Sequence, residues 1–217
     1  MSARDNILAR LRVAPGSGAT PGVRDFGVIE ALEWTPAERA ERLVRLLRSV
    51  NTEVHETTQA TWPGLLRELC VAKGVGRLCL APVTPVGAAA SEALAGSGVA
   101  TLAYDRDIEA WREELFFEVD AGLTAVTAGI AETGSLFVVP TPDEPRLLSL
   151  VPPVHFAVLS RAVIANTLLE VLRAQGYGAT MPTNVLLISG PSKTADIEQT
   201  LVYGVHGPNQ LVVLLTD

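Results

Sequence analysis

The chain predicts an α/β fold: an open, mostly parallel sheet with helices on both faces, preceded by a short N-terminal helical arm. Two observations lead there. Short apolar runs alternate with helix-like stretches along most of the chain, the rhythm of β-α-β units. The 217 residues are 48% hydrophobic and 19% charged, enough apolar material for one sizeable core plus an appended segment.

Asp5 to Arg12 reads as a short amphipathic helix with Ile7, Leu8 and Leu11 on one side. Residues 14–22 are rich in Gly, Pro, Ser and Thr and read as a flexible linker. The expected organisation is therefore an arm and linker over 1–22 and one α/β domain over 23–217. Thr35-Pro36 is a helix start, with a hydroxyl at the cap and Pro at the first helical position. That helix runs to about Val50 with Leu43, Leu46, Leu47 and Val50 as its apolar stripe. On its other face Glu38, Arg39, Glu41, Arg42, Arg45 and Arg48 read as solvated i,i+3 and i,i+4 pairs.

Strands and helices then alternate. Thr52–Thr57, Arg77–Ala81 and Val99–Tyr104 are expected strands. Pro63–Lys73 (ended by Gly74), Val86–Leu94 and Ile108–Leu115 are expected helices. Residues 116–139 change character, with two apolar β-like stretches around Glu132-Thr133-Gly134. They suggest an antiparallel intrusion into the sheet, although a helix over Ala125–Ile130 fits the same residues. The rhythm resumes with a strand at Val154–Leu159, a helix at Val163–Ala174, and strands at Val185–Ser189 and Gln210–Leu215.

The net charge is −7. An acidic chain without a basic block cannot neutralise phosphates and release counterions, so nucleic acid is not an expected partner. No apolar run approaches the roughly 20 residues of a membrane span, and residues 1–11 lack a secretory apolar region, which points to the cytoplasm. Cys70 and Cys79 are not at metal-ligand spacing and read as buried, reduced thiols. The three histidines, His55, His155 and His206, are far apart, and no zinc or iron–sulfur motif is present. No metal site is expected.

Three places carry candidate chemistry. Gly190-Pro191-Ser192-Lys193-Thr194-Ala195-Asp196-Ile197-Glu198 follows an apolar run. Read as a strand-to-helix connection, it offers free N–H groups, two hydroxyls and the Lys193 charge to a phosphate or carboxylate. The spacing is not that of a P-loop, and a plain capped helix start with Thr194 as cap accounts for the same residues. Ala131-Glu132-Thr133-Gly134-Ser135 sets a carboxylate at a glycine turn between apolar strands, where desolvation would make Glu132 a general base or nucleophile; a solvated turn is the alternative. His206, in Gly204-Val205-His206-Gly207-Pro208, suits anion binding or proton transfer. His155, after Pro152-Pro153, reads as a satisfied core or sheet-end histidine, and His55 as a surface strand residue with no role.

These segments, with Arg146-Leu147-Leu148-Ser149-Leu150-Val151-Pro152-Pro153-Val154-His155 between them, stand in an order and spacing that resembles the LUD-domain family, and within it the lactate-utilisation C proteins. The resemblance covers most of the chain and is densest from about Glu118 onward. It implies the fold shared by ribose-phosphate isomerase, glucosamine-phosphate deaminase and CoA transferases. It implies a part in oxidising L-lactate to pyruvate alongside two iron–sulfur-containing partner proteins, with no cofactor in this chain. The chain would supply a ligand pocket or a docking surface rather than the redox centre.

On that reading Thr133, Gly134, Gly190, Ser192, Lys193, Thr194, Asp196, Glu198 and Gly207 form the binding set for a small carboxylate or phosphate. Lys193 and nearby N–H groups hold the carboxylate, and His206 or Glu132 handles the hydroxyl proton. A homo-oligomer is compatible with this picture. The rival is a self-sufficient enzyme of the same fold, either a CoA transferase with Glu132 as nucleophile or a sugar-phosphate isomerase. A third reading is a non-catalytic assembly or regulatory subunit.

Overall fold

The computed structural model describes residues 3–13, 26–195 and 201–217. They fall into two compact units, Met1–Ala31 and Leu32–Asp217. The first contains α1 (Ala3–Val13) and the single-turn α2 (Gly27–Glu30). The linker expected over 14–22 lies outside the described residues.

The second unit opens with α3 (Pro36–Ser49). Its start is a reciprocal capping box: the Glu38 N–H donates to Thr35 Oγ1 at 3.4 Å, and the Thr35 N–H donates to Glu38 Oε2 at 2.7 Å. Ala40, Leu43, Val44 and Leu47 are its buried face. Then follow β1 (Glu53–Glu56), α4 (Trp62–Ala72), β2 (Arg77–Leu80), α5 (Pro85–Leu94), β3 (Ala100–Ala103), α6 (Arg112–Phe117) and β4 (Ala121–Ala125). The remainder is β5 (Ala128–Ile130), β6 (Ser135–Val138), α7 (Leu147–Leu150), β7 (Val154–Ser160), β8 (Ile164–Ala165), α8 (Leu168–Ala174), β9 (Leu186–Ile188), β10 (Lys193–Ala195), β11 (Leu201–Tyr203) and β12 (Gln210–Thr216).

The main sheet has six parallel strands in the order β1-β12-β7-β4-β2-β3, open at both edges. Its central strands are buried nearly end to end: Val154–Leu159 in β7 and Leu211–Thr216 in β12, as a parallel sheet covered on both faces requires. One face packs Leu123, Phe156, Val212 and Leu214 against Trp62 and Leu66 of α4 and Ala90 and Leu94 of α5. The opposite face packs Ala157, Leu159, Val213 and Leu215 against α3. Further along that face Cys79 and Ala81 meet Leu115 of α6 and Leu148 of α7. Helices on both faces of an open sheet are what the β-α rhythm predicts.

Four elements differ from the sequence reading. The antiparallel strands around Glu132 do not intrude into the main sheet; they build a separate four-stranded sheet, β8-β5-β6-β9. The chain leaves the main sheet after Val126, whose N–H still bonds Val158 O, and no helix forms over 125–130. The helix expected over Val163–Ala174 is shortened to α8, because Arg161–Val163 form a 3-10 turn and Ile164–Ala165 pair with β5 as β8. The segment after β9 does not start a helix: Lys193–Ala195 form β10, antiparallel to β11. Ile108–Ala110 are a 3-10 turn, with α6 beginning at Arg112.

The arginines of α3 also depart from the solvated-face reading. Arg39 donates to Ile164 O, Arg42 to Ala131 O and Arg48 to Val54 O, at 2.8, 3.0 and 3.0 Å. They tie the helix to three neighbouring backbone segments. Both cysteines are free and buried; burial pushes the Cys70 thiol up to about 11 and that of Cys79 up to about 12. Among the described residues no helix is long and apolar enough to cross a membrane.

Candidate functional site

The motif-bearing segments converge because of how the small sheet is wired to the large one. β9 is an edge strand of the small sheet, paired with β6, and beyond its end Gly190 turns the chain into the β10–β11 hairpin. The hairpin base is closed by Ser192 N–H donating to Pro208 O (2.8 Å) and Gly204 N–H donating to Ser192 O (2.9 Å). Residues 204–209 then feed β12, where Asn209 N–H donates to Pro153 O at 2.9 Å. The Pro152-Pro153-Val154-His155 segment is thereby joined to the Gly204–Pro208 turn at the start of the two central strands.

Between them lies a cavity of about 220 Å³ lined by Ser149 and Leu150 at the end of α7, His155, Leu187 to Gly190, Ser192, His206 to Pro208, and Leu211. His155 and Leu211 are register partners one residue into β7 and β12, so the cavity sits at the amino edge of the parallel sheet. The cavity lies beyond a strand's carboxyl end only for β9, which belongs to the small sheet. The reason is connectivity: β9, the hairpin and the following turn all lead into the beginning of β12.

Of the candidate residues, Gly190, Ser192, His206 and Gly207 line this cavity. Lys193 is exposed and Thr194 half-buried, both within β10, and neither is a lining residue. With Thr194 in a strand it caps no helix, and the N–H groups of a helix start are not there to serve a ligand. Asp196 and Glu198 lie outside the described residues.

Glu132, Thr133 and Gly134 form the β5–β6 turn, outside the cavity lining, and their backbone is held firmly. Glu132 N–H donates to Asn166 O at 2.9 Å, Gly134 N–H to Ile130 O at 3.0 Å, and the Arg42 guanidinium to the carbonyls of Ala131 and Glu132 at 3.0 and 3.5 Å. Arg42 also lies over the Trp34 ring, 4.6 Å from its centroid. Gly134 has φ +69°, and a Cβ there would stand 2.4 Å from Leu46 Cβ. The turn therefore needs glycine both for its left-handed backbone and for the close approach of α3. Glu132 itself is half-buried.

A hydroxyl chain links this turn to the cavity wall. Thr133 Oγ1 and Ser135 Oγ are 2.8 Å apart, and Ser135 Oγ and Ser189 Oγ 2.7 Å apart. Each serine stands beside a strand-end glycine, Gly134 or Gly190; the sequence reading passed over Ser189, and that shared Gly–Ser neighbourhood is the signal that marks it.

His155, read from the sequence as a satisfied core or sheet-end histidine, is buried at the sheet's end but only half satisfied. It is 1% exposed, and its Nε2 is 2.8 Å from Thr124 Oγ1. Its Nδ1 has no hydrogen-bond partner among the described residues. Burial pushes its pKa down to about 4, so the ring is neutral at physiological pH, one nitrogen a donor and the other an acceptor. A sequence does not distinguish a fully satisfied core histidine from one with a single nitrogen bonded. At the carboxyl end of β4, burial raises the Glu144 carboxyl, although it accepts the Ala125 N–H at 2.7 Å.

The site thus offers the serine hydroxyls, one buried neutral imidazole and the ring of the exposed His206. No Lys or Arg is among its described lining residues. Nor does any group of three or more His, Cys, Asp or Glu come together as a metal site among the described residues. Such a lining suits a small polar molecule. Its volume lies below the roughly 300–1,000 Å³ typical of pockets for drug-sized ligands.

The LUD domain family model matches residues 40–216, spanning both sheets and every cavity residue. An uncharacterized protein of Neisseria meningitidis serogroup B is 41% identical over 99% of this chain and 93% of its own length. Lactate utilization protein C of Anoxybacillus flavithermus is 25% identical over 81% of each chain. That of Exiguobacterium sp. is 34% identical over 47% of this chain and 46% of its own, so there the chain matches just under half of the relative. In structure, a DUF162 family protein from Deinococcus radiodurans superposes with a TM-score of 0.62, at 20% identity, over 85% of this chain and all of that one, and so shares the fold. With a family model matched from α3 to the last strand, the chain belongs to the LUD-domain family.

Proposed function

We propose that this protein is a non-redox component of a cytoplasmic system that oxidises L-lactate to pyruvate, working with two iron–sulfur-containing partner proteins. Its share of the work is to hold a small carboxylic acid in the cavity between Gly190 and Gly207. The family membership and the similarity to proteins named lactate utilization protein C support the process. The observation that carries the assignment to this chain is the cavity itself, small and lined by residues of three of the four segments that carry the family resemblance. A CoA ester is far larger than a cavity of about 220 Å³, which favours a small acid over the CoA-transferase alternative.

The test is co-purification of the tagged chain from a native lysate, with identification of the bound proteins and an assay of L-lactate-dependent dye reduction. The reading expects iron–sulfur proteins and activity in the complex, and no dye reduction by the isolated chain. Thermal-shift titration of the isolated chain supplies the contrast, because a ligand that binds only the folded state raises its stability. Stabilisation by CoA esters or sugar phosphates, without any by L-lactate or pyruvate, would overturn the proposal in favour of a self-sufficient enzyme.

A further inference from the structure

A second cavity lies toward the other edge of the main sheet. It encloses about 370 Å³ between Ala40, Glu41, Val44, Arg45 and Arg48 of α3 on one side and Glu56 and Arg161 on the other. Glu56 is the last residue of β1, and Arg161 follows Ser160, the last residue of β7. These are carboxyl ends of parallel strands, the edge at which open α/β sheets bind ligands. The length of β7, about 20 Å, separates this cavity from the one beside His155. Its floor is apolar, with Ala40 1% and Val44 7% exposed. Its walls carry three guanidiniums, in a chain whose net charge is −7.

β1 holds two of the three in place. Arg48 donates to Val54 O at 3.0 Å, and Arg161 pairs with the Glu56 carboxylate. The carbonyl brings no formal charge, so the charge of Arg48 stays uncompensated. Among the described residues no carboxylate pairs with Arg45 either, not even Glu41 one turn before it. We propose that this cavity binds a small organic dianion, a phosphate monoester or a dicarboxylate, with its charge met by Arg45 and Arg48 and its carbon stem laid over Ala40 and Val44. Two positive charges without counter-charge match a dianion, whereas a monoanion leaves one unmatched. Guanidinium forks fit the oxygens of phosphate and carboxylate in pairs, and an arginine already anchored loses little freedom when the ligand arrives. Glu41 stands two turns from Arg48, about 10 Å along α3, and by repulsion sets the charged end of the ligand at the Arg48 side. The site is independent of the small-acid reading of the first cavity.

The experiment titrates the full chain, labelled with ¹⁵N, with propyl phosphate, with succinate and with butyrate, a monoanion of similar size. At least one of the two dianions is expected to shift the backbone amide signals of Arg45, Arg48 and Arg161. A response to propyl phosphate alone identifies the ligand as a phosphate monoester, and a response to succinate alone as a dicarboxylate. Butyrate is expected to bind there at least about tenfold more weakly, the worth of one charge-assisted hydrogen bond. Arg45→Gln removes no contact among the described residues and is expected to weaken dianion binding about tenfold. Arg67→Gln deletes the same charge from α4, on the opposite face of the sheet, and is expected to leave binding unchanged. Unmoved amides at the three arginines with both dianions would overturn the site. Butyrate binding as tightly as the dianions, or equal weakening by the Arg67 and Arg45 substitutions, would also overturn it, since either result reduces the effect to general attraction of anions.

Discussion

The burial of His155 carries a consequence for stability. Its folded pKa of about 4 lies below the ordinary value near 6.5, so between those limits the unfolded chain binds the proton and the folded one does not. Stability therefore falls as pH drops from about 6.5 to about 4, by about 3 kcal/mol from this residue, and no further below that. Urea unfolding at stepped pH checks the slope, and His155→Asn should flatten it. Gly134 is the least replaceable residue of the β5–β6 turn. Gly134→Ala meets Leu46 Cβ at 2.4 Å in a left-handed backbone, and is expected to lower unfolding free energy by about 2–4 kcal/mol in the same assay. Cys70 and Cys79 are shut away as thiols. They should react with a thiol reagent only after unfolding, which a colorimetric titration with and without denaturant reads directly.

Among the elements, α3 does more than cover the sheet, since its arginines grip three separate backbone segments. Arg42→Ala removes both donations to the 131–132 carbonyls and the stacking on Trp34. It should cost about 1–3 kcal/mol and speed hydrogen exchange at Gly134, while α3 itself stays folded behind its Thr35 cap. That cap was readable because Thr35, Pro36 and Glu38 form a local code, complete within four residues. The β10–β11 hairpin was not. Hydroxyls followed by Asp and Glu make the same local pattern as a helix start, and what decides the conformation is pairing of Lys193–Ala195 with Leu201–Tyr203. The small sheet was half readable: apolar runs around a glycine turn announced antiparallel strands, but strands of two to four residues say nothing of which sheet they join. At the site, motif density marked Gly190, Ser192, His206 and Gly207. The positions of Lys193 and His155 were set by side-chain direction and long-range contact, which spacing does not encode.

At the scale of the whole molecule, burial predicts the order in which the structure opens. β7 and β12 are interior strands of the main sheet and are covered on both faces, whereas β9 is an edge strand with Leu187 exposed. Native-state hydrogen exchange should find the slowest amides in β7 and β12, and faster ones in β9 and the β10–β11 hairpin. Slow exchange in the hairpin with fast exchange in β12 would contradict that ordering. The place of β12 has one more effect, on how the protein is made. This strand lies between β1 and β7, more than 150 residues downstream of the first of them. During synthesis the edge strand β1 is left cut off from the rest of the main sheet until residues 210–216 have left the ribosome. The nascent chain must hold β1 unpaired for about 150 residues and one side of β7 open for about 50 before β12 joins them, and a chain cut short before residue 210 loses that joining strand along with Leu211 of its cavity wall.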